Sequence, residues 1–166
     1  MAEDLRIALP IETERLVIRP LELADADDLG ESEEWIHEKV DRFDRDGGMS
    51  LWAAVNRESG RAVALAGLQW EQIDDRRELD LGCVVAAHAQ QRGYATEASE
   101  AIVRAAFDAG CERLTAITGP DNAAALHVLE KLGFTPHGDT TFEGRQYALF
   151  VRAAPAGGRH RQETVT

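Results

Sequence analysis

Basic residues are in short supply in this sequence: 18 lysines and arginines stand against 30 aspartates and glutamates, a formal net charge of −12 over 166 residues. The sequence pI is about 4.8. Nucleic-acid affinity rests largely on cationic side chains, so a polyanion is a poor partner. The surplus acid keeps the protein soluble first, and favours cationic or amine-bearing partners second. Cysteine is equally sparse. Cys83 and Cys111 make neither a disulfide framework nor a metal-ligand spacing, and Cys83 sits in an apolar run as a small hydrophobe. The five histidines are scattered, so no metal is expected. No run approaches the roughly 18 apolar residues needed to span a bilayer. The opening MAEDLRIALPIETERL lacks the basic region and long apolar stretch of a secretory signal. A cytoplasmic protein with reduced thiols and no membrane partner is the expectation.

What is present is an ordinary globular composition, 44% hydrophobic and 29% charged, in a length suited to one domain. Residues 15–20 alternate and read as a first strand, and 25–29 as a short helical turn with acids at its start. Trp35, Ile36, Val40 and Phe43 recur at helical spacing within 32–45, and Gly47-Gly48 ends the pattern. Residues 51–56 and 62–70 form a hairpin across the turn signal at 58–61. Segment 78–85 alternates and then turns continuously apolar, which predicts a strand exposed at its start and buried at its end. A long helix follows to Ala109, with Ala98, Ile102, Ala105 and Ala106 on one face and Gly110 closing it. A strand at 113–118 leads to a helix over 122–132, capped by Asp121 or Asn122 and stopped by Gly133. Segments 134–138 and 146–152 pair as a last hairpin across 139–144. Seven strands with intervening helices predict an α/β fold: a mixed, mostly antiparallel sheet with helices on both faces. One domain spans 1–154, and the polar tail 155–166 is expected to be disordered.

The most informative stretch is 84–98, VVAAHAQQRGYATEA. An apolar strand passes through a short loop into a helix whose first turn carries Gly93 and Ala95. The first N–H groups of a helix have no intrahelical acceptor and carry the positive end of its dipole. A pyrophosphate fits there, provided no side chain blocks it. Gly93 and Ala95 keep the approach open, and Arg92 adds a positive charge. Neither a G-x-x-x-x-G-K-[ST] loop nor a complete G-x-G-x-x-G is present.

Gln90-x-x-Gly93-x-Ala95 matches the [QR]-x-x-G-x-[GA] signature of the GNAT superfamily of N-acetyltransferases. The surrounding QQRGYATEA resembles the version in the RimJ/RimL-like branch, which includes ribosomal-protein N-terminal acetyltransferases. Segment 121–134, DNAAALHVLEKLGF, is similar to that branch's N-x-x-S-x-x-x-x-x-K-x-G-F, and 12–20, ETERLVIRP, followed by Ala24-Asp25-Ala26, is similar to its opening. The blocks keep the family's order and spacing and extend the similarity over roughly residues 11–152.

The resemblance implies a GNAT-like fold whose sheet splays between its fourth and fifth strands, with acetyl-coenzyme A in the splay as acyl donor. Gln90 belongs to the donor-binding loop, and the amides of Gln91, Arg92, Gly93, Tyr94, Ala95 and Thr96 would hold the pyrophosphate. The pantetheine arm would run along Cys83, Val84 and Val85 like an added strand. A main-chain N–H near Val84 or Val85 would then stabilise the oxyanion. Asn122 would cap its helix and contact the pantetheine from the other wall. The implied reaction is direct attack by a primary amine, of a peptide N-terminus or a small molecule, in a ternary complex. A homodimer is compatible with all of this.

An ammonium has no lone pair, so an amine must lose a proton before or during attack. Glu78 and Asp80 are the candidate bases, two apart on an expected strand and therefore on one face. Asp80 begins Asp80-Leu81-Gly82, where related enzymes often have a glutamate beginning E-[IL]-G. The aspartate is one methylene shorter and would act through a water. For Glu78 a solvated surface carboxylate is the simpler account. The acid side is less well supplied. The tyrosine that many GNAT enzymes place seven residues after the asparagine is Leu129 here, and the branch's serine three residues after it is Ala125. Tyr94 is aimed by its position toward the phosphate end, and Tyr147 lies on the last strand. A thiolate leaves without help and solvent reprotonates it, but the missing groups also motivate an alternative, a non-catalytic acetyl-coenzyme A sensor or interaction module. His88 and His127 read as exposed, and Trp35, Trp52 and Trp70 as core or rim packing. By resemblance the acceptor site is built from 30–48 and 139–144, where Glu31, Glu33 and Glu34 would attract a cationic acceptor.

Overall fold

A computed structural model describes residues 5–156, so the expected tail lies outside the described residues except for Pro155 and Ala156. The chain runs β1 (Ile11–Glu12), β2 (Leu16–Arg19), α1 (Ala26–Leu29), α2 (Glu33–Arg45), β3 (Ser50–Asn56), β4 (Ala62–Ile73), β5 (Arg76–Val85), α3 (Tyr94–Asp108), β6 (Arg113–Thr118), α4 (Ala123–Lys131), β7 (Thr135–Phe142) and β8 (Arg145–Ala153). The eight strands form one sheet in the order β1-β2-β3-β4-β5-β6-β8-β7. All neighbours are antiparallel except β5 and β6. The strand beyond the seven expected is β1, a two-residue edge paired with β2.

Capping chemistry sets the helix ends. Ser32 Oγ accepts from Trp35 N at 3.1 Å to start α2, and Asn122 Oδ1 accepts from Ala125 N at 3.1 Å to start α4. Each satisfies one of the donors a helix start leaves unpaired. Gly133, at φ +82°, follows α4 in the left-handed conformation that glycine adopts without a Cβ penalty.

Alternation along β3, β4 and β5 sends side chains to two cores. On one face Trp52, Ala66, Leu79 and Leu81 meet Ala98 and Ile102 of α3 and Leu129 of α4. On the other, Leu51, Ala53 and Leu65 meet Ala26 and Leu29 of α1 and Ile36 of α2. Fully burying Leu68 or Ile102 contributes about 1.5–3 kcal/mol each. The helices therefore cover both faces, as the pattern predicts. Gly67 lies on the α1–α2 face of β4, where a Cβ would stand 2.1 Å from Ser50 O. Only glycine permits that approach of β3.

Three boundaries differ from expectation. The strands β4 and β5 are longer than expected and meet at Asp74-Asp75, with φ +49° and +65°, a two-residue turn whose left-handed residues match the twist of a hairpin. The supposed loop at 139–144 is mostly strand, because Glu143 (φ +49°) and Gly144 (φ +78°) make the whole turn. Asp74 also reaches β7, accepting from Thr140 Oγ1 at 2.6 Å.

Candidate active site

The departure of β5 from β6 creates the cleft. Whereas β4 pairs with β5 from Ala64–Val85 to Ile73–Arg76, β5 and β6 register at one pair, Asp80 with Thr115. Beyond it the edge of β5 over Cys83 to Val85 faces the splay. Ala86 N donates to Val63 O on the β4 side at 2.8 Å. Because successive strand amides alternate sides, the N–H groups of Val85 and Cys83 point into the splay and that of Val84 points to β4. Of the two oxyanion donors expected, only the Val85 N–H faces the splay. The Val84 side chain stands 57% exposed on the α2 face, an unusual position for valine inside a sheet. The Cys83 thiol faces α3, where burial pushes its pKa to about 11 against the effect of a Ser99 hydrogen bond. It is no nucleophile at neutral pH.

At the end of β5 a single 3-10 turn, Ala87–Ala89, delivers the chain to α3. Gln90 reaches back, its Nε2 donating to Val85 O at 3.4 Å. Gln91 (φ +63°) and Gly93 (φ +81°) are both left-handed, so the loop coils tightly. Gly93 is the N-cap of α3 rather than part of its first turn, and it offers no side-chain cap. The first intrahelical bond is Glu97 N to Gly93 O at 3.1 Å, which leaves Tyr94, Ala95 and Thr96 N–H without intrahelical acceptors. A concave set of free amides at a positive helix end can hold a diphosphate. The acid in that first turn is neutralised elsewhere. Burial opposes ionisation of Glu97, but hydrogen bonds from Thr13 and Arg15 outweigh it and hold its pKa below the usual carboxylate value. Arg15 also donates to Arg92 O at 2.9 Å and lies 4.4 Å over the Tyr94 ring. The Tyr94 side chain is buried, with its hydroxyl accepting from Asn56 Nδ2 at 3.1 Å. It points into the core and not at the phosphate end as expected; its share in the loop is its main chain.

Asp80 stands at the closed end of the splay. It is 8% exposed and accepts from Thr115 Oγ1 at 2.8 Å. Burial pushes its pKa up to about 8; the Thr115 hydroxyl lowers it, while Glu71 and Glu78 add repulsion and Arg42 attraction. Such a carboxyl takes a proton at neutral pH and releases it readily, the property of an effective base. Glu78 differs from its expected solvated state. It is 5% exposed and held by Arg113, 3.0 Å to Oε2. An ion-paired carboxylate is occupied.

The remaining candidates fall apart from these. Asn122 is exposed and its Oδ1 is spent on the cap, leaving Nδ2 for another partner. Leu129 is in the core, so the usual acid position is filled by packing. Tyr147 is half-buried and meets Phe142 edge-on at 6.4 Å. His88 and His127 are exposed. Trp52 is fully buried, Nε1 donating to Gly48 O at 2.9 Å. Glu33 and Glu34 point to solvent at the start of α2, while the inner side of that helix presents Lys39 and Arg42 to β4. Among the described residues no three His, Cys, Asp or Glu side chains gather to hold a metal, and no helix is long and apolar enough to cross a membrane. The sequence reading missed Thr115, Arg42, Glu71, Arg113 and Arg15. Arg15 lies in the 12–20 block and the others in no motif; each acquires its place from strand register or helix docking.

Comparisons with known proteins bear on the fold and the family. The chain is similar to the uncharacterized protein YkkB of Bacillus subtilis (strain 168), 28% identical over 107 residues, which are 64% of this chain and 62% of that one. The chain thus matches less than two thirds of that relative's length. In structure it is similar to an acetyltransferase from Agrobacterium tumefaciens str. C58, with a TM-score of 0.73 and 21% identity over 90% of this chain and 97% of that one. It is also similar to the ribosomal-protein-S5-alanine acetyltransferase of Vibrio fischeri, with a TM-score of 0.71 and 14% identity over 90% and 98% of the respective chains. Residues 27–135, most of the chain, match the acetyltransferase (GNAT) domain model, and the chain belongs to that family.

Proposed function

We propose that the protein moves the acetyl group of acetyl-coenzyme A to a primary amine by direct attack in a ternary complex, with Asp80 as general base. The observation that carries this is the position of Asp80: a buried carboxyl with raised proton affinity at the last rung before β5 and β6 part. The donor fits the residues present. Gly93 opens the approach to the amides of Tyr94, Ala95 and Thr96, where a Cβ would meet only Arg15 Nη2 at 3.4 Å. Gln91, Arg92 and the edge of Cys83, Val84 and Val85 continue that surface toward Asn122. An acceptor amine on the α2 face gives its proton to Asp80, directly or through a water. Its nitrogen then bonds to the acyl carbon while the Val85 N–H faces the oxygen that gains charge. The carbon–sulfur bond breaks, the nitrogen gives up its second proton to solvent to leave the neutral amide, and the thiolate takes its proton from solvent. Within the family, the RimJ/RimL-like branch and a peptide N-terminus or small amine as acceptor are part of the same proposal.

Calorimetric titration with acetyl-coenzyme A, followed by free-thiol detection against a panel of amines and N-terminal peptides, tests it. Saturable binding with acceptor-dependent thiol release is expected. Binding without turnover on any acceptor favours the second reading, a sensor, which the filling of the acid positions by Leu129 and Ala125 supports.

A further inference from the structure

Three carboxylates share the α2-facing side of the β4–β5 pair: Glu71, its cross-strand partner Glu78, and Asp80. Two carry an arginine. Arg42 of α2 donates from Nη2 to Glu71 Oε1 and to Trp70 O, each at 2.7 Å, with Asp46 behind it at 3.7 Å. Arg113 of β6 holds Glu78, to which Arg76 adds a contact at 3.8 Å. Lys39, the other cation of α2 on this side, is committed to the Gln69 amide at 3.1 Å and to Glu38 at 3.5 Å. Gln69 is the cross-strand neighbour of Asp80, and Val151 of β8, level with Thr115, is uncharged. Among the described residues no cation stands within 4.0 Å of Asp80; its partner is the Thr115 hydroxyl. Neighbouring carboxylates in a poorly solvated place do not all stay ionised, and the proton goes to the one without a cation.

We infer that Arg42 is a positioning residue of the transfer reaction: by fixing Glu71 as an ion pair, it makes Asp80 the carboxylate that receives the acceptor's proton. This rests on Asp80 being the base. It makes α2, the helix beside the acceptor space, part of the proton machinery and not only a wall.

The charges give opposite signs for the two partners. Removing Glu71 takes away a repulsion and leaves Arg42 uncompensated, so Asp80 ionises more easily. Removing Arg42 leaves the Glu71 charge bare, so Asp80 ionises less easily. Carboxyl carbon-13 NMR on aspartate-labelled protein, with the Asp80 signal assigned by its loss in Asp80→Asn, reads this without donor or acceptor. The Asp80 titration should fall by about one pH unit in Glu71→Gln, rise by about one in Arg42→Gln, and return close to the wild type in the double variant. An unmoved Asp80 titration in folded Glu71→Gln, or a shift of the same sign in both single variants, overturns the inference. Glu71→Gln is nearly isosteric and decides the matter by itself if Arg42→Gln does not fold, as judged by circular dichroism. Failure of the base assignment looks different: Asp80→Ala then keeps its turnover while the NMR shifts remain.

Discussion

In the proposed mechanism the loop at the start of α3 and the carboxylate row beneath α2 are two halves of one site built in opposite ways. The loop acts through main-chain amides, so its demands on side chains are mostly negative: no bulk at Gly93, little at Ala95, no free acid. The row acts through side chains whose state depends on partners from other elements, Arg42 from α2 and Arg113 and Thr115 from β6. A site made of backbone is written locally in the chain. A site made of paired charges is written across it.

The sharpest break in that comparison is Gly93→Glu. The residue sits at φ +81°, and the new carboxylate would stand among amides that favour an anion. Affinity for acetyl-coenzyme A by calorimetry should fall by about a hundredfold or more; near-normal binding would remove the loop as the anchor. Asp80→Ala is the complementary break. It should leave donor affinity unchanged and slow transfer by about 10²–10⁴, and unaltered turnover would take Asp80 out of the mechanism.

A pH series sharpens the difference. With Asp80 as base, transfer should rise with pH through about 8, and that limb should vanish in Asp80→Asn, while donor binding at the loop keeps its own profile. The sign for stability is the reverse. Folded Asp80 keeps its proton up to about pH 8, whereas the unfolded side chain loses it near 3.8. Between these values the folded state binds more protons, so Asp80's contribution is fully present below the lower value and is lost as pH rises toward the upper. Urea melts at pH 5 and pH 8 should show the wild type losing stability that Asp80→Asn retains; equal slopes count against a buried, protonated Asp80. The smallest effect is expected at Asn122→Ala, which loses the α4 cap and about 1 kcal/mol. A fall in donor affinity beyond that of a destabilised control would give Asn122 its second role at the cleft.

Legibility followed the same division. The proposed phosphate loop could be picked out from Gln90, Gly93 and Ala95 because they are close in sequence, and the strand-to-helix turn they imply is present. That 78–85 is a strand was readable, and so was the common face of Glu78 and Asp80, since both follow from a period of two. The expected burial was reversed, with Glu78 to Leu81 buried and Val84 exposed, because β6 covers the start of the segment and leaves its end at the splay. The surroundings of Glu78 and Asp80 were not readable. Glu78 looked solvated until β6 brought Arg113 against it, and the burial of the candidate base Asp80 came only when Thr115 and the sheet closed over it. The turn at Asp74-Asp75 was missed because aspartate is a common surface residue whose left-handed conformation is a response to the hairpin twist.

By itself the sequence determined where strands and helices alternate, which residues cap them, and where a helix start lies open to an anion, because these depend on near neighbours along the chain. The tertiary structure alone decided which carboxylate lies buried without a cation, since register and docking bring Glu71, Glu78, Arg42 and Arg113 together from four separate elements. Proton affinity depends on the distances among those charges, and these exist only once the sheet has formed.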